Sequence, residues 1–344
     1  MIKGHANLKG TREYFARNLN IRTKKTPWFE VSRVALGTHL GEMTEEDSKL
    51  YRESLSYAFT NGINFTDTAI NYRGMRSERD IGRVISRLIK NNSLKRGEFV
   101  LSTKAGLVPG DIEAKLVPND YLQEILLKHG IIAESDLNIV GHRKHVMAPS
   151  YYGFAMNESR KHLNVETIDI YYIHNPEVSM MVLGPKAFYE KLIELFVFLE
   201  QTVREGKIRF YGIASWDGFL VSPSDSSYLS LEEVTKAAEI AGGKEHHFKF
   251  VQFPLNERRV AAIDYHNQSV SSLPMPTLKA AKELGLYSMT SAPLELGKLI
   301  GRKRPPSSLL TTVMNTHHVH SVMVGMKHVS SVKSNIQTIL KKGG

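Results

Sequence analysis

The chain has 344 residues, 42% hydrophobic and 23% charged, which suits a globular protein of one large barrel or two ordinary domains. It contains no cysteine, which excludes disulfides, thiolate-bound metals and a cysteine nucleophile. Forty-five basic against 35 acidic residues leave a formal charge of +10, a balance that attracts nucleic acid, anionic membranes or phosphate-bearing ligands.

The opening stretch MIKGHANLKGTREYF lacks an apolar core, so no secretory signal is expected. The longest dense apolar run, LIELFVFL at 192–199, is too short to cross a bilayer and carries Glu194. These features predict a cytoplasmic protein without a membrane partner. Basic residues are dispersed along the predicted helices rather than gathered on one face, which argues against a nucleic-acid partner.

Residues 1–30 read as an N-terminal extension, and from residue 31 short apolar segments alternate with longer helical ones. RVALGT (33–38) predicts a strand. EEDSKLYRESLSYAFTNG (45–62) predicts a helix stopped by Gly62. INFTDTA (63–69) is a strand, SERDIGRVISRLI (77–89) a helix opened by a serine cap and two early acids, and FVLSTKAG (99–106) a strand. The alternation breaks over 107–149, a large insertion with a short helix of its own at NDYLQEILLKHG (119–130). It resumes with a helix at 151–164, the strand IDIYYIHNP (168–176) and a long amphipathic helix at 185–207. The strand IRFYGIASW (208–216), a helix at 230–243, the strand FKFVQFPLN (248–256) and a helix at 277–285 follow. The strand YSMTSAPL (287–294), a helix at 307–318, the strand HSVMVGM (320–326) and a helix at 329–342 complete the chain.

Eight strands, apolar along their length and each followed by a helix, predict an α/β fold, a (β/α)8 TIM barrel: a single domain with a large insertion after the third strand. An open doubly wound sheet is the runner-up, and ALGTHLGEMT is a poor match to its glycine fingerprint.

In such barrels chemistry gathers where strands end. The polar residues there are Asp67 and, just beyond it, Tyr72; Lys104; His174 and Asn175; Ser215 and Trp216; Gln252 and Asn256; and Gly325 and Lys327. Asp67 and Lys104 fall on adjacent strands at similar depth, and an ion pair between them would neutralise two costly buried charges. The Lys104 ammonium would lower the Tyr72 pKa and prepare the phenol as a proton donor to a substrate oxygen. His174 would donate a second hydrogen bond to the same oxygen. A hydride donor is the natural complement. Gly325 and Lys327, opening the last helix, offer an anion site for its phosphates. The histidine groups GHRKH (141–145) and HHVH (317–320) lack a carboxylate companion, so no metal is expected.

This set resembles the aldo-keto reductase superfamily, from about Glu30 to the C-terminus and interrupted by the insertion. NFTDTAINY is similar to its Asp-Thr-Ala-x-x-Tyr motif, STKAG to the segment carrying its lysine, and IDIYYIHNP to the segment carrying its histidine. The resemblance implies a tetrad of Asp67, Tyr72, Lys104 and His174, with Tyr72 as general acid. It implies NADPH as cofactor, with NADH as the alternative, and a small-molecule aldehyde, ketone or sugar-derived substrate. Cofactor contacts would come from Gly37, Thr38, Asp67, Asn175, Ser215, Trp216, Gln252, Pro293 and Leu294, and, in the last loop, from Gly325, Lys327, Ser331 and Asn335. It also implies an N-terminal hairpin closing the barrel bottom. Some relatives are cofactor-sensing accessory subunits of ion channels, so a non-catalytic binder is the alternative. The sequence departs from the family at Ala214-Ser215 (usually Ser-Asn), at Ser291 (usually an aromatic), at Ser331 (usually Arg or Gln), and in a tyrosine loop longer by one residue.

Overall fold

The computed structural model describes residues 1–18, 20–301 and 304–340; Lys341 and Lys342, the end of the last predicted helix, fall outside the described residues. Eight parallel strands close into a barrel. They are β1 (Val34–Gly37), β2 (Phe65–Asp67), β3 (Val100–Ala105), β4 (Ile168–His174), β5 (Ile208–Ala214), β6 (Phe248–Pro254), β7 (Tyr287–Ser291) and β8 (Val319–Gly325). Neighbours in sequence are neighbours in space, and β8 pairs with β1 to close the ring. Each strand is followed by a helix: α1 (Glu45–Thr60), α2 (Arg76–Lys90), α3 (Pro149–Leu163), α4 (Glu177–Arg204), α5 (Leu231–Gly242), α6 (Thr277–Glu283), α7 (Pro306–Asn315) and α8 (Val329–Ile339). Among the described residues no helix is long and apolar enough to cross a membrane.

The strands are buried on both faces, which is why they read as continuous apolar runs rather than alternating ones. One face meets the helices. The other fills the barrel with Phe65, Val100, Ile170, Tyr172, Phe210, Phe250, Met289 and Met323. An antiparallel hairpin, Thr23–Lys25 with Glu30–Ser32, follows the N-terminal helix Leu8–Arg17. Its Trp28 and Phe29 pack against that filling, Trp28 lying 4.2 Å from the Phe210 ring and Phe29 stacked 6.0 Å from Phe250.

Local chemistry explains most element ends. Thr44 caps α1 by accepting from Asp47 N (3.2 Å), and Ser230 caps α5 through Glu233 N (3.3 Å). The predicted cap at Ser77 is a correction. Helix α2 begins at Arg76 after Met75 in a left-handed conformation, and Ser77 Oγ donates to Thr38 O instead (2.8 Å). Helix α4 starts eight residues before the predicted 185, at Glu177, and breaks at Gly184 (φ 71°, ψ 168°) ahead of Pro185. The hairpin Gln268–Val270 with Leu273–Met275 escaped the sequence reading, for its strands are only three residues long.

The segment 107–149 contains a helical stretch, Pro118–Tyr121 running on through Leu122–Leu127, and a hairpin of Leu137–Val140 with Arg143–Val146. It leaves the carboxyl end of β3 and packs against α2 and α4. Asp111 binds Arg79 of α2 (2.8 Å), and His145 Nδ1 meets Ser179 Oγ of α4 (2.7 Å).

Candidate active site

The carboxyl ends of the strands surround a cleft of about 400 Å³. At its floor Lys104, wholly buried, donates from Nζ to Asp67 Oδ2 (2.6 Å) and to Thr68 O (2.9 Å). Register puts them there: Asp67 pairs with Ser102 across β2 and β3, so Lys104 projects on the same side one pleat nearer the mouth. The other Asp67 oxygen accepts from Ser102 Oγ (2.6 Å) and Gln252 Nε2 (3.1 Å), so both oxygens of this buried carboxylate find donors.

Tyr72 sits above the pair, with the Lys104 ammonium 5.1 Å from its ring centroid and the His174 ring 5.7 Å away, edge-on. The longer tyrosine loop is absorbed by three successive left-handed residues, Arg73, Gly74 and Met75. Arg73 pins it from behind, its guanidinium donating to Glu42 O (3.0 Å), Asp80 Oδ2 (3.0 Å) and Ser48 Oγ (2.9 Å). Buried arginine bonds of this kind fix a side-chain neighbour that a free loop would let swing.

The sequence predicted that Lys104 lowers the Tyr72 pKa. The structure keeps that pull but reverses the net shift. Burial raises the phenol above its ordinary value and outweighs the downward pull of the Lys104 ammonium, with Asp67 adding to the rise. Burial opposes the Lys104 charge, but Asp67 and Tyr72 prevail and leave it above its ordinary value. His174 is held far below the usual imidazole value by burial, by Lys104 and by His39 and His145. It is a neutral ring, and its buried Nδ1 has no protein partner among the described residues.

Gly37 and Thr38 of the first strand, Asn175 after β4, Ser215 and Trp216 after β5, and Gln252 of β6 all line the cleft. Pro293, Leu294 and Gly325 close its far wall, with Ser291 beside them. Among the described residues Asn175 makes no side-chain hydrogen bond and Gln252 uses only its Nε2, so free amide groups face the cleft. Ser215 is committed, donating to Glu177 Oε2 (2.9 Å) and accepting from Gly218 N (2.8 Å). Lys327, Ser331 and Asn335 lie outside the lining, and Lys327 Nζ is paired with Asp47 at 2.9 and 3.0 Å.

The sequence reading missed His39, whose ring lies 4.7 Å from Tyr72, and also Asn71 and Leu107. His39 follows Thr38 at the end of β1, the very place that singled out the other polar residues, so the signal was present.

The buried neutral histidines make acid stability a test of this packing. His145 is lowered to about 3 by burial, and His174 lies well below 6.5. Unfolding frees both to take up protons below about 6.5, so stability holds above that pH and is lost as pH falls toward the folded values. Urea unfolding at pH 7 and 5.5 should differ by about 2 kcal/mol from these two groups, and His145→Gln should flatten the slope. Equal stability at both values would disprove the buried neutral rings.

A model of the aldo/keto reductase family matches residues 33–221, more than half of the chain. A Pseudomonas D-threo-aldose 1-dehydrogenase is 28% identical over 163 residues, covering 47% of this chain and 42% of that protein. A Schizosaccharomyces pombe protein named as a voltage-gated potassium channel subunit beta is 25% identical over 210 residues, covering 61% and 49%. The matches thus span less than half the length of either curated relative. Among solved structures, an aldo/keto reductase from Klebsiella pneumoniae in complex with NADP and acetate superposes with a TM-score of 0.59 at 16% identity, covering 93% of this chain and 90% of that one.

Proposed function

Since the chain belongs to the aldo/keto reductase family, we propose that its cleft binds a nicotinamide cofactor and reduces an aldehyde or ketone to the alcohol, with Tyr72 as general acid. One observation carries this reading: the buried Lys104–Asp67 pair lies beneath Tyr72 and His174 at the floor of an open cleft.

The residues present fit the cofactor at its amide end, because Asn175 and the Gln252 Oε1 are free to meet a carboxamide between Thr38 and Trp216. A bound nicotinamide would supply the hydride. Tyr72 holds the proton: its raised pKa keeps the phenol protonated throughout the physiological range, and it passes that proton to the carbonyl oxygen as negative charge develops there. Neutral His174 fixes the same oxygen by a hydrogen bond, and the Lys104 ammonium, held by Asp67, stabilises the charge left on the phenolate. In the reverse direction the same groups accept a proton from an alcohol.

We favour NADPH over NADH, in line with the NADP-bound Klebsiella structure. Asp47 already engages the Lys327 charge, so discrimination between the two is expected to be modest, within about tenfold. The similarity to a protein named as a channel subunit supports a second reading, a cofactor-binding accessory protein without turnover. Fluorescence titration with NADPH and NADH, followed by an aldehyde, ketone and aldose panel, tests both. Binding with turnover is expected. Binding without turnover on any carbonyl would favour the accessory role, and absence of binding would defeat both readings.

A further inference from the structure

The histidine cluster HHVH, which the cleft does not use, lies at the opposite end of the barrel. It forms one wall of a second cavity, of about 580 Å³, built from the start of β1, the ends of α6 and α7, and the entry to β7 and β8. Arg22, Lys24, Arg33, Lys282, His318 and His320 line it, and among the described residues no aspartate or glutamate does.

This concentration of positive charge is largely uncompensated. Arg33 is 5% exposed, and among the described residues its guanidinium meets only main-chain carbonyls, with Nη1 donating to Val319 O (2.6 Å) and His320 O (3.2 Å). Arg22 donates to the neutral Asn315 Oδ1 (2.7 Å). Among the described residues only Lys282 of these cations has a carboxylate within ion-pair reach, Glu283 at 3.3 Å. His320 keeps a buried Nδ1 without a partner, its ring edge-on to Tyr287 at 4.8 Å. Burial and the neighbouring Arg22 pull Arg33 down to about 10, and burial with Lys24 and Arg33 pulls His320 down to about 4. Like charges gathered in a half-buried space repel, and among the described residues only Glu283, paired with Lys282, offsets that repulsion. An anion would offset the rest.

We propose that this cavity is a second ligand site, which binds a small anion carrying two or more phosphate groups at the closed end of the barrel. Its volume is that of a small-molecule site. Its guanidinium and ammonium groups arrive from separate elements around one half-open space, as recognition of a compact polyanion requires and tracking of an extended strand does not.

The test uses inorganic triphosphate, titrated calorimetrically into the full chain. The unmodified protein should bind it below about 1 mM. The double variant Lys24→Gln/Lys282→Gln should weaken binding by about tenfold or more, and Lys282→Gln alone by less. Lys327→Gln, at the other end of the barrel, should leave the affinity unchanged. Both lysines are exposed, and matched thermal unfolding midpoints exclude misfolding as a cause. Absence of binding, an affinity equal in all variants, or a loss confined to Lys327→Gln would overturn the proposal. Tighter binding of single-stranded DNA than of triphosphate, abolished by the same double variant, would overturn its small-molecule assignment.

Discussion

Removing one oxygen atom, in Tyr72→Phe, is expected to cost on the order of 10²–10⁴-fold in carbonyl reduction, equivalent to about 3–5 kcal/mol of transition-state stabilisation. The ring would remain, packed between His39 and His174, so the cleft should keep its shape. Cofactor affinity should therefore change little, and the loss should fall on kcat rather than KM, the pattern of an interaction made mainly in the transition state. The pH profile offers a second check. Burial holds the phenol above its ordinary value of 10.0, so reduction should not fall through Tyr72 deprotonation until the medium is more alkaline than that. A Tyr72→Phe protein that reduces carbonyls normally would remove the general acid from the mechanism.

The second large effect is expected from Asp67→Asn. Its carboxylate accepts from Lys104, Ser102 and Gln252, and the Lys104 ammonium otherwise donates to Thr68 O. Breaking a buried pair from one side strands the other charge, at a cost of about 3–5 kcal/mol in folding stability. The sign with pH follows from the raised Lys104 value. The pair is fully charged below the lysine's ordinary 10.5 and is lost only as pH rises through the folded value, so the deficit should be present across the neutral range. The double variant Asp67→Asn/Lys104→Met should recover much of the stability and none of the activity, because the repaired core no longer holds a cation beneath the phenol. Urea unfolding of the three proteins measures this. A single variant as stable as the unmodified chain would show that the pair contributes nothing to the fold.

Much of the site was legible. Asp67, Lys104 and His174 each fall at or next to the end of a buried strand, a place where a charged or polar group is costly without a partner, and that cost is visible in one dimension. His39 carried the same signal at the end of a four-residue strand and was passed over. The sign of the Tyr72 shift was not legible. Lys104 acts on the phenol in the direction expected, but burial acts more strongly, and the enclosure of a loop residue depends on what folds over it. Nor could the sequence reveal that Lys327, read as a phosphate ligand, is engaged by Asp47, 280 positions away.

The sequence by itself determined the eight alternating units, the order of their strands and the polar residues that terminate them, because hydrophobic periodicity and chain connectivity are local properties. Only the tertiary structure decided which charges are partnered. It gave Lys104 to Asp67 and Lys327 to Asp47, and it left Arg33 among cations, 286 residues from the carbonyl that it meets. Coulomb energy and desolvation depend on separation and enclosure in space, and closing the barrel sets both at once for residues that the chain keeps far apart.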